Sequence, residues 1–228
     1  MINRWIKACV QTFVGNTTLK RHVREHHVYN TLFTAVDLEL TSLNPSTTQI
    51  TSVGYVSGTG GRIDLSTSGY HVINTTANLG QSPVIHGLTP DILQKGEYLE
   101  VALRALIPLF QQQILIFHNA RLDLMALNKA FKQFAVPKLE VFYIDTLQLA
   151  LYQLNKQHQV LPSNSATLSV CRQRLSLPAF NEHNALDDAL ATFQLFLAQL
   201  TELGVAKEAT LDCLLHTGAV GHIQLGGS

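Results

Sequence analysis

The chain has 228 residues, 46% hydrophobic and 14% charged, a composition that predicts a well-buried globular protein and argues against disorder. Its sixteen basic residues balance its sixteen acidic ones, so it lacks the broad positive charge expected of a protein that grips duplex DNA. Three distant cysteines, Cys9, Cys171 and Cys213, form no Cys-x-x-Cys motif. They indicate neither a zinc knuckle nor a disulfide framework, and reduced thiols in the cytoplasm are expected.

Residues 1–30 are expected to form an N-terminal helical extension. Six apolar residues recur there at helical spacing, namely Ile2, Trp5, Ile6, Cys9, Val10 and Phe13. Such a helix could lie on a membrane, act as a targeting sequence, bind a polymerase or another protein partner, or pack on its own domain; we favour the last two. The first 16 residues lack the continuous apolar core of a signal peptide, and no run approaches the ~18 apolar residues of a transmembrane segment.

The following segments predict a mixed α/β domain. Strands are expected at about 31–39, 50–57 and 62–74, and their succession favours an antiparallel meander. Two short apolar strands, at 114–117 and 141–144, are typical of a parallel sheet. Helices are expected at 97–112, 120–134, from 145 to about 155, at 167–175, 185–203 and about 208–215. The expected fold class is therefore a five-stranded mixed sheet flanked by helices over residues 31–204, followed by a glycine-rich C-terminal tail over 205–228.

Two carboxylates lie close together at the end of the first predicted strand. Because side chains alternate along a strand, Asp37 and Glu39 share the face that carries Phe33 and Ala35 upstream. Two acids on an otherwise buried strand need solvent, a proton or a cation. A divalent metal would satisfy both, although the strand end could also simply protrude into water.

A third acid follows the strand at 114–117. The segment runs His118-Asn-Ala-Arg-Leu-Asp123, in which Asn119 is the expected N-cap of a helix. Asp123 shares a helix face with Ala126 and Ala130, and small residues there would let the helix approach the sheet closely enough to bring Asp123 to the end of the first strand. The alternative is that Asp123 only complements the helix dipole.

A fourth acid lies at the start of the long helix, in segment 182–188. Asp188 shares its helix face with small residues, whereas Asp187 is expected to face water, so Asp188 is the better candidate ligand. His183 precedes the cap residue Asn184 on a loop, where an imidazole with an ordinary pKa of ~6.5 could accept a proton. The alternative is a surface histidine beside two capping acids.

The four carboxylates together suit hard, oxygen-preferring ions such as Mg²⁺ or Mn²⁺ better than zinc. Four acids exceed the needs of one such ion. A pair of ions about 3.5–4 Å apart would use them, and such pairs serve in-line phosphoryl displacement.

The three motifs resemble those of the DEDDh (DnaQ-like) 3′-5′ exonuclease family, which includes the proofreading ε subunit of bacterial DNA polymerase III. They are Asp37-x-Glu39, His118-Asn-Ala-x-x-Asp123 and His183-Asn-Ala-Leu-Asp-Asp188. The resemblance covers about residues 31–203 and implies a ribonuclease H-like fold. It also implies that Asp37, Glu39, Asp123 and Asp188 hold two Mg²⁺ or Mn²⁺ ions and that His183 is the general base. The product would be nucleoside 5′-monophosphates released from single-stranded DNA 3′ ends.

The resemblance leaves the substrate open. Candidates for contact with the terminal nucleotide are Leu40, Thr41, His86, His118 and Asn119. The chain departs from common family patterns at Leu40-Thr41-Ser42, Gln49 and Leu122, which puts substrate preference in doubt more than activity. Two alternatives therefore remain, a 3′-5′ exoribonuclease that trims RNA ends and a non-catalytic polymerase-accessory module. The oligomeric state is not indicated by the sequence.

Overall fold

The computed structural model describes residues 17–42, 44, 47–75, 87–157 and 164–227. The strands are β1 Leu32–Leu40, β2 Ile50–Thr59, β3 Arg62–Val72, β4 Ile114–Phe117, β5 Leu139–Asp145 and β6 Val220–Leu225. The helices are α1 Thr17–Glu25, α2 Pro90–Gln94, α3 Leu99–Gln112, α4 Ala120–Gln133, α5 Thr146–Gln157, α6 Leu168–Arg174 and α7 Ala185–Glu202, with a 3₁₀ helix at Leu211–Thr217. Among the described helices, none has both the length and the apolar character needed to cross a membrane.

The strands form one mixed sheet in the order β3-β2-β1-β4-β5-β6. The meander β1-β2-β3 is antiparallel, and β1, β4 and β5 run parallel to one another. The predicted fold class is therefore confirmed.

The sheet has six strands, so the predicted count of five is wrong. The sixth strand, β6, pairs antiparallel with β5 and comes from the segment expected to be a tail. The glycines of this segment obscured its strand pattern in the sequence. Gly221 stands opposite Tyr143, and a Cβ at Gly221 would lie 2.2 Å from the Tyr143 ring. The missing side chain makes room for the aromatic ring across the strand pair. The domain boundaries at 30 and 204 remain a prediction.

Strand alternation divides the core into two faces. Val36 and Leu38 of β1 join the cluster formed with α3 and α4. Phe33 and Ala35 join the opposite cluster with α7, where the Phe33 and Phe196 ring centroids are 5.1 Å apart. Asp37 and Glu39 continue the Phe33 series, so their side chains start on the α7 face of the sheet.

The strand β1 extends well beyond its parallel neighbour. The pairing with β4 is limited to residues 33–35 of β1, whereas β1 continues to Leu40. Helix α4 begins directly after β4. Its first turn therefore reaches the unpaired side of β1, so residues of α4 and β1 can come together there.

Helix α1 packs on the domain that follows it. Its buried residues Leu19 and Val23 belong to the α7-side core, and the His22 ring stacks on Phe142 of β5 with centroids 3.6 Å apart. The described part of the expected extension thus follows the self-packing alternative. The predicted apolar stripe of residues 2–13 lies outside the described residues.

Candidate active site

Three of the four candidate carboxylates meet at the end of β1. Asp37, Glu39 and Asp188 each place a carboxylate oxygen within 4.8 Å of the other two. Glu39 is buried at 5% exposure, and the other two are half-buried. Residues that are 151 positions apart in the sequence therefore form one cluster, which we call the carboxylate cluster.

A glycine allows this convergence. Gly54 of β2 is the cross-strand partner of Asp37, and the first turn of α7 lies directly over it. A Cβ at Gly54 would be 2.2 Å from the backbone atoms of Ala185 and Leu186, a distance that no side chain could occupy. Sequence analysis missed Gly54; a glycine inside a predicted strand, which often marks close backbone approach, was the available signal.

The start of α7 orients the two acids of its first turns. The Asn184 side chain accepts hydrogen bonds from the backbone N–H groups of Leu186 and Asp187, at 3.1 and 3.3 Å, so it acts as the expected cap. Asp187 instead accepts a hydrogen bond from the Asn181 amide at 3.2 Å and is not among the three clustered carboxylates. The preference for Asp188 over Asp187 agrees with this geometry.

His183 lies on the exposed loop before α7. Its backbone has a φ of 68°, and its N–H donates a hydrogen bond to Asp188 Oδ2 at 3.1 Å. The loop that carries the imidazole is therefore attached to a carboxylate of the cluster.

Asp123 occupies the unpaired side of β1. It is buried at 7% exposure, and its carboxylate accepts the backbone N–H of Leu38 and its own N–H. It lies close enough to Asp37 to raise the pKa of that carboxyl, but it is not one of the three carboxylates of the cluster. Its role as a metal ligand stays a prediction.

Burial and mutual repulsion disfavour the charged forms of these acids. Burial raises the pKa of Asp37 well above its ordinary value, and Asp123, Asp188 and Glu39 raise it further. Burial, with Glu39 next, raises the pKa of Asp188 to about 7. Burial, followed by the nearby Asp145, also raises the pKa of Asp123. A bound cation would reverse these penalties.

The donor set fits a hard divalent cation. All three clustered ligands are carboxylates, the type that Mg²⁺ and Mn²⁺ prefer. In an octahedral shell of ligands about 2.0–2.1 Å from the ion, opposite oxygens are roughly 4.2 Å apart. The three carboxylate oxygens lie within 4.8 Å of one another, which is close to the oxygen separations around one such ion.

Asp145 is a buried acid that sequence analysis did not single out. At the end of β5, it accepts the backbone N–H groups of Asn119 and Ala120 at the start of α4, at 3.0 and 3.2 Å, and of Leu147 in α5 at 3.0 Å. Asn119 is the N-cap residue of α4, as expected, but it adopts φ 75° and its side chain makes no capping hydrogen bond. An acid between a parallel strand and a helix was the available signal.

His118 has protein partners on both ring nitrogens. Nε2 donates to the Ala166 carbonyl at 3.0 Å, and Nδ1 lies 2.8 Å from the Thr146 hydroxyl. Burial lowers the pKa of His118 to about 4, so the ring is neutral, and the Thr146 hydroxyl beside Nδ1 also donates to the Phe117 carbonyl at 3.0 Å. The ring joins the start of α4 to the segment before α6, and its predicted contact with a nucleotide is not tested by this geometry.

The other candidate nucleotide contacts have mixed positions. Leu40 packs against the core cluster beside α3 and α4. Thr41 and Gln49 close the loop after β1 through two 3.0 Å hydrogen bonds. His86 lies outside the described residues.

Comparison with known proteins places the chain in a family. The exonuclease family model RNase_T matches residues 34–196. DNA polymerase III PolC-type from Thermotoga maritima is 30% identical over 190 residues, which cover 81% of this chain and 13% of that protein. The chain thus spans about an eighth of the length of this relative.

Two solved structures share the fold. Exonuclease X in complex with 5′ overhanging duplex DNA superposes with a TM-score of 0.58 at 19% identity, over 79% of this chain and 98% of that one. The nuclease domain of 3′hExo, a DEDDh family member bound to rAMP, superposes with a TM-score of 0.59 at 13% identity, over 80% of this chain and 96% of that one. Both confirm the ribonuclease H-like architecture. Because the family model also spans all three acidic motifs, this chain belongs to the DnaQ-like exonuclease family.

Proposed function

We propose that this protein is a metal-dependent 3′-5′ exonuclease that releases nucleoside 5′-monophosphates from the 3′ ends of DNA, in proofreading or repair. The observation that carries the proposal is the convergence of Asp37, Glu39 and Asp188 within 4.8 Å, beside a histidine loop attached to Asp188. This arrangement occurs in a chain whose exonuclease family match spans those same residues.

The carboxylates would hold two Mg²⁺ or Mn²⁺ ions. Asp37, Glu39 and Asp188 would bind one ion, and Asp37 would share the second with the substrate phosphate. Asp123, which lies beside the backbone of Leu38, would order metal-bound water or support a ligand. Such ions lower the pKa of water and stabilise charge on the phosphate and the leaving oxygen.

His183 would act as the general base. Its exposed position lets the imidazole accept a proton from the attacking water. The water oxygen bonds to the terminal phosphorus as the bond from phosphorus to the preceding 3′ oxygen breaks. The products are a nucleoside 5′-monophosphate and a strand shortened by one nucleotide that ends in a 3′ hydroxyl.

The PolC-type relative, whose name is that of a DNA polymerase, supports DNA as the substrate. We further propose a polymerase or another protein as the partner, and a cytoplasmic location. A 3′-5′ exoribonuclease is the second candidate, because the structurally similar 3′hExo domain is bound to rAMP. The non-catalytic alternative is the weaker one, since all five expected residue types are present and Asp188 is joined to the His183 loop.

The test is digestion of 5′-labelled single- and double-stranded DNA and RNA by the full chain with Mg²⁺, Mn²⁺ or EDTA. We expect a ladder shortened from the 3′ end, with DNA preferred and no reaction in EDTA. Asp37→Ala and Asp188→Ala should each remove the ladder. Degradation at the wild-type rate by both variants would contradict the assigned site, and a wild-type chain without metal-dependent digestion would contradict the activity.

A further inference from the structure

One side of α4 is exposed and basic. Arg121, Met125, Lys129 and Lys132 are all exposed, and with 3.6 residues per turn they lie within an arc of about 80° around the helix. We call these four residues the α4 basic face. It has three cations, one apolar side chain and no acid.

The other elements that carry the candidate carboxylates have no basic residues. The four candidate carboxylates lie on β1, α4 and α7, and of these three elements only α4 contains lysine or arginine. Arg121 lies in the first turn of α4, where a cation opposes the helix dipole. Within the described residues it forms no ion pair. Helix stability therefore does not explain its position.

The face approaches the loop that follows β1, the strand that carries Asp37 and Glu39. Lys129 Nζ donates a hydrogen bond to the Thr48 carbonyl of that loop at 2.9 Å. Arg121 points away from Asp123, because two residues correspond to about 200° around the helix. Lys129 also borders a cavity of about 360 Å³ whose other lining residues include Gln49 and Tyr98. Tyr98 is 78% exposed, and exposed aromatic rings are the usual stacking partners of unpaired bases.

We propose that the α4 basic face binds the sugar-phosphate backbone of the substrate strand upstream of its 3′ end. Single-stranded nucleic acid is the occupant that this surface fits, because it combines regularly spaced anions with unpaired bases. A neutral protein with several acids at its reaction centre needs local cations to hold a polyanion. The α4 basic face supplies them, and Tyr98 offers a ring to a base.

The length of the face sets the length of strand it binds. At a rise of about 1.5 Å per residue, Arg121 and Lys132 are roughly 16 Å apart along the helix axis. A stacked strand rises about 3.4 Å per nucleotide. The face therefore spans some four to five nucleotides, and substrates shorter than this should not use all of it.

This inference rests on the proposed function for its direction along the strand, but its test does not require catalysis. Binding of a 5′-fluorescein-labelled 12-nucleotide DNA strand to the full chain is measured by anisotropy in Ca²⁺. The variants are Lys129→Gln, Lys132→Gln and their combination, and Lys207→Gln, an exposed lysine on the turn after α7, is the matched control. The double variant should weaken binding at least fivefold, and the control should not.

Salt dependence gives a second measurement. For single strands the slope of log affinity against log salt changes by about 0.7 for each phosphate that the protein neutralises, so the slope of the double variant should be shallower by roughly 1.4. A double variant with wild-type affinity and slope would overturn the proposal. If the double variant does not fold, the Lys132→Gln variant decides, because its exposed side chain makes no hydrogen bond within the described residues.

Hydrolysis separates this proposal from the proposed function. The p-nitrophenyl ester of thymidine 5′-monophosphate can occupy only the reaction centre. We expect the ratio of the oligonucleotide KM to the ester KM to rise at least fivefold in the double variant. If the wild-type chain binds the strand through α4 but hydrolyses neither substrate, the proposed function fails and the α4 inference stands. An equal rise in both KM values would overturn the inference and leave the activity intact.

Discussion

Asp188 combines two tasks in one side chain. Its carboxylate belongs to the cluster with Asp37 and Glu39, and its Oδ2 also accepts the backbone N–H of His183 at 3.1 Å. Asp188→Asn keeps a hydrogen-bond acceptor but loses the charge, whereas Asp188→Ala loses both. We expect each variant to lower kcat by roughly 100-fold or more, but only the alanine variant should accelerate amide hydrogen exchange in residues 181–184. Asp187→Asn, one residue away and outside the cluster, is the control and should stay near the wild-type rate.

His183 can be separated from metal binding. A general base contributes roughly 10²- to 10⁴-fold to rate, so His183→Ala should lower kcat within that range. The carboxylate cluster does not use the imidazole, so the Mn²⁺-induced rise in Tm should match that of the wild-type chain. The prediction is checked by single-turnover digestion beside thermal unfolding with and without Mn²⁺; wild-type kcat in the variant would remove His183 from the mechanism.

For single residues, the sequence identifies the acids that come together in the cluster better than the residues that support them. Asp37, Glu39 and Asp188 were identifiable because acids are conspicuous at the ends of apolar elements. Gly54 and Asp145 were missed because their roles depend on partners distant in the sequence, the first turn of α7 for Gly54 and the starts of α4 and α5 for Asp145. No local pattern contains those interactions.

Among the elements, the approach of α7 to the sheet depends on Gly54. Gly54→Ala would place a Cβ 2.2 Å from α7 backbone atoms and push the helix, with Asp188, away from Asp37. Overpacking of this kind lowers the free energy of unfolding by about 1–3 kcal/mol, and activity should fall more than the folded fraction does. Gly61→Ala in the β2-β3 turn is the matched control, because its Cβ would meet only the Tyr29 ring at 3.6 Å. Equal stability and activity in the two variants would contradict this account.

Arg172 links α6, α7 and the segment that leads to His183. The side chain is 2% exposed, and its guanidinium donates to the Ala191 and Pro178 carbonyls at 2.8 Å each and lies 4.9 Å from the Phe180 ring. Arg172→Leu would leave two carbonyls without these donors, at about 1–3 kcal/mol for each unsatisfied buried group. We expect a lower midpoint in urea unfolding, whereas Arg174→Leu, on the exposed side of the same helix, should unfold close to the wild type.

The order of elements was predictable because hydrophobic periodicity distinguishes helices from strands over these lengths. The missing strand β6 shows the limit of that signal. Gly221, the second residue of β6, weakens the pattern, and the reason for the glycine is the Tyr143 ring on a strand more than 70 residues earlier.

For the whole molecule, the carboxylate cluster should make stability depend jointly on pH and metal. Because the folded-state pKa of Asp188 is raised from 3.8 to about 7, the metal-free folded chain binds more protons than the unfolded chain between these values. The contribution of Asp188 to the free energy of unfolding is fully present below pH 3.8 and is lost as the pH rises towards 7. A divalent ion offsets the repulsion only when the carboxylates are ionised.

We therefore expect the increase in Tm caused by Mg²⁺ or Mn²⁺ to grow from about pH 5 to about pH 8. His22 and His118, whose pKa values burial lowers from 6.5 to about 4, act in the opposite direction and destabilise the fold as pH falls through that interval. Neither histidine belongs to the carboxylate cluster, so comparison with and without metal at each pH isolates the effect of the cluster. A metal effect independent of pH, or one unchanged in Asp188→Asn, would contradict the assignment.

The limited pairing between β1 and β4 has an evolutionary consequence. It leaves one side of β1 unpaired for Asp123, and all four candidate acids stand on regular elements, β1, α4 and α7. The intervening loops can then change length and chemistry without displacing the hydrolytic machinery. A lineage could exchange one polymer for another by loop insertion alone, and loop grafting between relatives should transfer substrate choice while conserving the cleavage reaction.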